Sequence, residues 1–393
     1  MAMRADQDRR YEQSVSRSRT GNEEDDPVLK DGSGSVWGDS RSARHLTRRA
    51  FLKASGGAVL GVCGLAPLAS ACGNRVDTSL DTGYGSMGCG TTGLWYEDNN
   101  MGTAGGAPPD FQEKFYRPDT WVRAREVIDV YYVRSSTLLN PANELDDSFL
   151  EKFFVPVLEE SGVKIAIDAV GANFLNRRLA GTALADRELR LIEKLRAMGG
   201  QVEHIALQSV LSKPLREGGQ VVEYPVQRRI QDVVEYAKMA RGRLPDVEIG
   251  IIDALPSKGL DYQGPYGELA AALGYDLKLD FIHLDCPYER AQEGENVSWE
   301  GIKAAESFIK RDIATRFGLI STSRTGGETS DETWNDNVLD VPHEYAKAGG
   351  NPDEYAIMSW FPYPSSSIPE EAGPGLFPDT KTVLSFAREL GRC

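Results

Sequence analysis

The chain has 393 residues, 40% hydrophobic and 26% charged, enough apolar material for one large domain plus additional segments. Its formal charge of −15 argues against an electrostatic hold on phosphate backbones or anionic lipid, so nucleic acid is not expected as a partner and an acidic, soluble surface is.

Residues 1–71 read as separate from the fold. Arg, Ser and Asp dominate up to His45 with few clustered apolar residues, a composition that predicts disorder. Thr47-Arg48-Arg49-Ala50-Phe51-Leu52-Lys53 and the weakly apolar run Ala54 to Ala71 then resemble a twin-arginine signal peptide, the alternative being a short buried helix after a basic loop. The run ends Leu68-Ala69-Ser70-Ala71-Cys72, which resembles a lipobox and implies a lipid on Cys72. Ordinary cleavage after Ala69-Ser70-Ala71 is the alternative. Both readings send the protein out of the cytoplasm, to the periplasm or cell surface, with membrane contact only through that lipid. If Cys72 is acylated, Cys89, Cys286 and Cys393 remain, which permits one disulfide and a spare thiol. Residues 72–110, rich in Gly, Thr and Ser, read as a tether.

From 111 to 393 helices and strands alternate. A helix at 118–126 leads into a strand from Val127 to Val133, and a helix at 147–160 leads into a strand at 163–169. The pattern repeats with helices at 185–198, 226–241, 265–273 and 299–315, each feeding one of the strands Val202 to Leu207, Val247 to Ile252, 279–285 and Phe317 to Thr322. A short helix after Pro342, the strand Tyr355 to Phe361 and a helix from Asp379 to Leu390 close the chain. The strands are continuous hydrophobic runs, as parallel strands covered on both faces require. Seven strands in about 280 residues point to a (β/α)₈ TIM barrel with one short strand that periodicity misses. A doubly wound open sheet is the alternative, but the first strand runs into Tyr132-Val133-Arg134-Ser135-Ser136 without a Gly-rich phosphate turn, so no nucleotide cofactor is expected. The Gly-rich stretch from Thr322 to Asp340 reads as a long loop over the barrel mouth.

In such a barrel the C-terminal strand ends line one mouth. They offer Tyr131, Arg134, Asp168, Gln208, Asp253, His283, Asp285, Glu289, Arg324, Trp360 and Tyr363. Carboxylates, amides and aromatic faces around one opening suit a sugar, with two carboxyl groups flanking a glycosidic bond. Asp253 and Asp285 close consecutive strands and are the expected catalytic pair, Asp253 as proton donor and Asp285 as ionised carboxylate, with His283 orienting Asp285. The alternative for each Asp is a cap on the turn after its strand.

Arg117-Pro118-Asp119-Thr120-Trp121, Phe281-Ile282-His283-Leu284-Asp285, and Ser359-Trp360-Phe361-Pro362-Tyr363-Pro364 with Ile368-Pro369-Glu370 resemble bacterial TIM-barrel proteins of glycoside-hydrolase type over residues 111–390. The resemblance implies a barrel acting on an extracytoplasmic polysaccharide or oligosaccharide. The largest retaining clan carries a Glu after the fourth strand and another after the seventh. Here Asp253 follows Ile252, and the strand ending at Phe361 meets no Glu before Glu370. That departure motivates a second expectation, a non-catalytic carbohydrate-binding lipoprotein. A third, a metal-dependent barrel hydrolase using His204, His283, Asp168, Asp253 and Asp285, lacks any H-x-H or H-E-x-x-H motif, so no metal is expected.

Overall fold

The computed structural model describes residues 92–99, 110–139, 145–174, 182–211, 215–217, 220–222, 224–254, 262–294 and 297–392. The export segment, Cys72 and most of the expected tether lie outside the described residues.

Eight parallel strands close into a barrel: β1 Gly93–Tyr96, β2 Val130–Arg134, β3 Lys164–Ala169, β4 Val202–Gln208, β5 Glu248–Asp253, β6 Leu279–Asp285, β7 Ala314–Ser321 and β8 Glu354–Ile357, with β1 pairing both β2 and β8. Helices pack outside, making this a (β/α)₈ TIM barrel. The strand that periodicity misses is β1, which lies inside the stretch expected to be tether. The barrel therefore begins at residue 93 rather than 111. Its four residues, Gly-Leu-Trp-Tyr, are too few to show an alternation.

Side chains divide into two apolar clusters. The larger one, with Tyr96, Tyr131, Val133, Ile165, Ile167, Ile205, Ile249, Ile251, Ile282 and Leu284, lies between strands and helices. The smaller one, with Trp95, Val130, Tyr132, Ala166, Ala206, Ile252, Phe281, Ile320, Ala356 and Met358, fills the lumen. Following the strand pairings around the barrel, with the one-residue stagger that strand tilt imposes, stacks the inward residues in layers of four. Trp95 shares a layer with Ala166, Gly250 and Gly318. Above it come Tyr132, Ala206, His283 and Ala356, then Glu97, Asp168, Ile252 and Ile320, then Arg134, Gln208, Asp285 and Met358. One large indole is thus matched by three minimal residues. The glycines are needed: a Cβ on Gly250 would stand 2.3 Å from the Phe281 ring, and one on Gly318 would stand 2.3 Å from His283.

An ionic column fills the lower lumen. Tyr132 Oη lies 2.7 Å from His283 Nδ1, and His283 Nε2 lies 2.6 Å from Glu354. Arg316 donates to Glu354 at 2.8 Å and to Glu248 at 2.6 Å, and His204 Nδ1 meets Glu248 at 2.8 Å. Burial alone would raise the Glu354 carboxyl, but the hydrogen bond from His283 and the charges of His283 and Arg316 bring it below its ordinary value. The close contact with His204 and the hydrogen bonds from Arg316 hold Glu248 far below it, against a smaller push from burial.

The stretch expected to be a loop over the mouth is helical instead, as Arg324–Thr329 and Asp331–Lys347. Ser323 and Ser330 cap these helices by accepting from the amides of Gly326 and Thr333. The second helix runs through Pro342 rather than starting after it. Two motifs far apart in sequence meet outside the barrel. Glu370 accepts from the amides of Arg123 and Ala124 at 3.1 and 2.8 Å, and its own amide donates to Thr120. The late Glu therefore caps the helix Val122–Val127.

Candidate active site

The best-formed polar cluster in the upper lumen comes from the first four strands. The backbone ladder continues one residue past β1, the Glu97 amide donating to Ile357 at 2.9 Å, and this carries the Glu97 side chain inward. Arg134 Nε, at the end of β2, stands 2.9 Å from Glu97 Oε1 and 3.2 Å from Asp168 Oδ2 on β3. Gln208, closing β4, donates to Asp168 at 3.2 Å. One guanidinium therefore serves two carboxylates. Glu97 is only 2% exposed. Burial raises its carboxyl, Arg134 pulls it down, and Asp168 pushes it up again, to about 7. A carboxyl that still holds a proton near neutrality beside an ion-paired Asp has the divided protonation that acid–base chemistry uses.

Asp285 enters from β6, with His283 below it, and is half-buried in the layer of Arg134 and Gln208. The other half of the rim is apolar: Ile252, Ile320 and Met358, with Trp360 packed against them and its ring 5.6 Å from Phe361. The rim thus has a polar half from β1 to β4 and a largely apolar half, broken by Asp285, from β5 to β8. Glu97, which the sequence reading assigned to the tether, is the residue it missed. The signal was present in Leu94-Trp95-Tyr96-Glu97-Asp98, an apolar run closed by acids like the other strands.

Several expected site residues stand elsewhere. Asp253 does not face the lumen. It shares the outward side of β5 with Ile249 and Ile251, is fully buried, and accepts from the Tyr266 hydroxyl at 2.5 Å, the Leu211 amide at 3.2 Å and its neighbour Ala254 at 2.9 Å. It ties β5 to the helix Gln263–Leu273, and the geometry does not pair it with Asp285. Tyr131 also points outward, into the strand–helix core, and Tyr132 takes the lumen position. His283 is in the lumen but fully buried two layers below the rim, bound to Tyr132 and Glu354. Glu289 accepts from the amides of Arg324 and Thr325, the Ser323 hydroxyl and Asn337, so it caps the helix Arg324–Thr329. Arg324 is exposed and pairs with Glu328 at 3.2 Å. Tyr363 is half-buried, and its backbone holds the loop after β8 through bonds with Gly327 and Ser359. His204 lies below Trp95, its ring centroid 4.7 Å from the indole. Among the described residues no three His, Cys, Asp or Glu side chains are grouped to hold a metal.

No protein-family model matches the sequence, and no curated protein matches it. Solved structures do. The native xylanase 10B from Thermotoga maritima is 12% identical with a TM-score of 0.48, covering 77% of this chain and 97% of that one. A beta-glucosidase from Thermotoga maritima is 14% identical with a TM-score of 0.44, covering 68% and 88%. The D-psicose 3-epimerase from Clostridium cellulolyticum H10 is 12% identical with a TM-score of 0.43, covering 77% and 100%. Glycoside-hydrolase barrels are thus among its structural neighbours. At these values the likeness is of chain path, and it assigns neither substrate nor catalytic residues.

Proposed function

We propose that the chain is a glycoside-hydrolase-like enzyme that cleaves an extracytoplasmic polysaccharide or oligosaccharide by carboxylate acid/base catalysis at the C-terminal mouth of its barrel. Glu97 is the proton donor, and Asp285, across the lumen from it, is the ionised carboxylate that acts on the sugar from the other side. Arg134 and Asp168 hold the acid in place, Gln208 offers its amide to a sugar hydroxyl, and Trp360 is the surface on which a pyranose face stacks. The observation that carries this reading is Glu97, buried, held by Arg134, and raised to about 7 in the company of Asp168.

The test is turnover by the purified protein on a panel of polysaccharides and oligosaccharides, followed by Glu97→Gln and Asp285→Asn. Each substitution is expected to lower kcat by about 10²–10⁴ on the responsive glycan, the range for a general acid or base. Unchanged turnover in both variants overturns the assignment. The ion pairs from Arg134 to both acids favour one second reading, a barrel that binds a glycan without cleaving it. In that case Glu97→Gln leaves glycan affinity unchanged and the unmodified protein gives no product.

We also propose, from the Arg48-Arg49 to Cys72 segment alone, that the protein is exported and carries a lipid on Cys72, with ordinary cleavage after Ala71 as the alternative. Cys72→Ala should then release it from the membrane fraction and abolish labelling by a radioactive fatty acid.

A further inference from the structure

Behind β1, on the side away from the lumen, a lysine is buried among aromatic rings. Lys114, from the helix Phe111–Tyr116, has a fully buried side chain, and so does its partner Asp98. The ammonium donates to both Asp98 oxygens and lies 3.2 Å from the Tyr131 hydroxyl. Its nitrogen is 4.5 Å from the Trp121 ring centroid, 4.9 Å from Tyr131 and 5.0 Å from Tyr96. Asp98 also accepts from the hydroxyls of Tyr96, at 2.7 Å, and Tyr131. The next residue, Asn99, donates its side-chain amide to Pro364 in the loop after β8.

Glu97, Asp98 and Asn99 are therefore three consecutive buried polar residues, each tied to a different part of the barrel. Side chains alternate along an extended segment, so pinning Asp98 outward obliges Glu97 to turn inward. We infer that Lys114 is a positioning residue: acting through Asp98, it holds the end of β1 so that Glu97 stands in the lumen against Arg134. The inference rests on the reading of Glu97 as the acid.

The surrounding charges support the assignment. Lys114 faces Asp98, Asp379 and Asp110. Burial, with the negative charge of Asp98, pushes the Asp379 carboxyl well up, and Lys114 acts against that rise. Burial lowers the Lys114 ammonium and Asp98 works against it, as expected for an ion pair sealed from water. Glu97 in turn faces Arg134, Asp168 and Asp98, with the hydroxyls of Tyr131 and Tyr132 near it. Removing the ammonium exposes Glu97 to the uncompensated charge of Asp98 and frees the strand end.

The experiment is Lys114→Met in the full chain, with two readouts. One is kcat and KM on whichever glycan the unmodified protein turns over. The other is the carboxyl titration of Glu97 followed by NMR of protein labelled with ¹³C at glutamate carboxyls, assigned by loss of the signal in Glu97→Gln. The expected result is a kcat lower by about tenfold or more with KM within about twofold, and a Glu97 midpoint moved upward by at least about half a unit. Tyr131→Phe removes one hydroxyl donor to Asp98 while keeping the ring. It should give the same changes at smaller size, and it decides the matter if Lys114→Met does not fold. A variant that only melts earlier, with the Glu97 midpoint and kcat unchanged, overturns the inference and leaves Lys114 a packing residue. If the unmodified protein cleaves no glycan, the enzymatic reading falls, while the titration still reports on Lys114.

Discussion

At the bottom of the barrel Arg316 stands between Glu248 and Glu354, and at the top Arg134 stands between Glu97 and Asp168, so each end of the lumen holds two carboxylates around one guanidinium. The two ends differ in what else reaches the acids. Below, His204 and His283 contact one carboxylate each, and Glu248 and Arg316 keep about a third of their side chains in water. Both lower carboxyls are accordingly held beneath their ordinary range, and Arg316 is held more firmly charged: burial works against it, and the two glutamates outweigh burial. Above, the further donor to Asp168 is the neutral amide of Gln208, and Glu97 is almost wholly buried. There desolvation is left partly uncompensated and Glu97 rises to about 7. The same residue types thus give a structural lock at one end and a poised acid at the other, and the deciding quantity is positive charge and water per carboxylate.

Breaking the lower lock should have the largest effect. Arg316→Met takes the shared partner from Glu354, which is buried, and from Glu248, which is about a third in water, so the cost falls at the lower end of the ~3–5 kcal/mol of a fully buried pair, read from urea denaturation at neutral pH. The upper site should respond with the opposite sign. The folded-state value of Glu97, near 7, lies above its unfolded value, so the folded protein holds the extra proton. Stability from this group is full below the unfolded carboxylate range and is lost as pH rises through about 7. Glu97→Gln should therefore be more stable than the unmodified protein by roughly 2–4 kcal/mol at about pH 8, with the difference vanishing toward about pH 4. Denaturation curves across that range check it, and a pH-independent difference would refute the raised carboxyl. Gly318→Ala sharpens the contrast by overpacking the lock alone. Its Cβ must displace His283 from Glu354, and the expected loss is about 1–3 kcal/mol in denaturant midpoint analysis. The smallest change belongs to a group outside both clusters. Tyr266→Phe removes a hydroxyl donor from Asp253 and should cost about 1.5 kcal/mol without altering turnover. A large loss of activity there would return Asp253 to the catalytic site.

How legible all this was depends on position along each strand. Seven of the eight barrel strands stand out as hydrophobic runs with polar ends, and Arg134, Asp168, Gln208 and Asp285 follow as lumen groups. Asp253 and Tyr131 carry the same local signal yet face the helices. Alternation from Arg134 puts Tyr132 rather than Tyr131 on its side of the strand, and alternation from Glu248 puts Ile252 rather than Asp253 on its side; a polar strand end taken without that parity misses both. Glu97 was hidden for a different reason. Its strand is four residues long, flanked by Gly and Thr before it and Asn after it, so neither length nor β-branched content separates it from a linker.

Composition and order of residues alone determined the alternation of strand and helix and the presence of acids at strand ends, and favoured a closed parallel barrel over an open sheet; closure itself is seen in the strand pairing. Which acids share a space was decided only when eight strands closed with a particular stagger. A period of two tells which residues lie on the same side of a strand. In a strand covered on both faces, only its pairing with its neighbours tells which of those sides is the lumen.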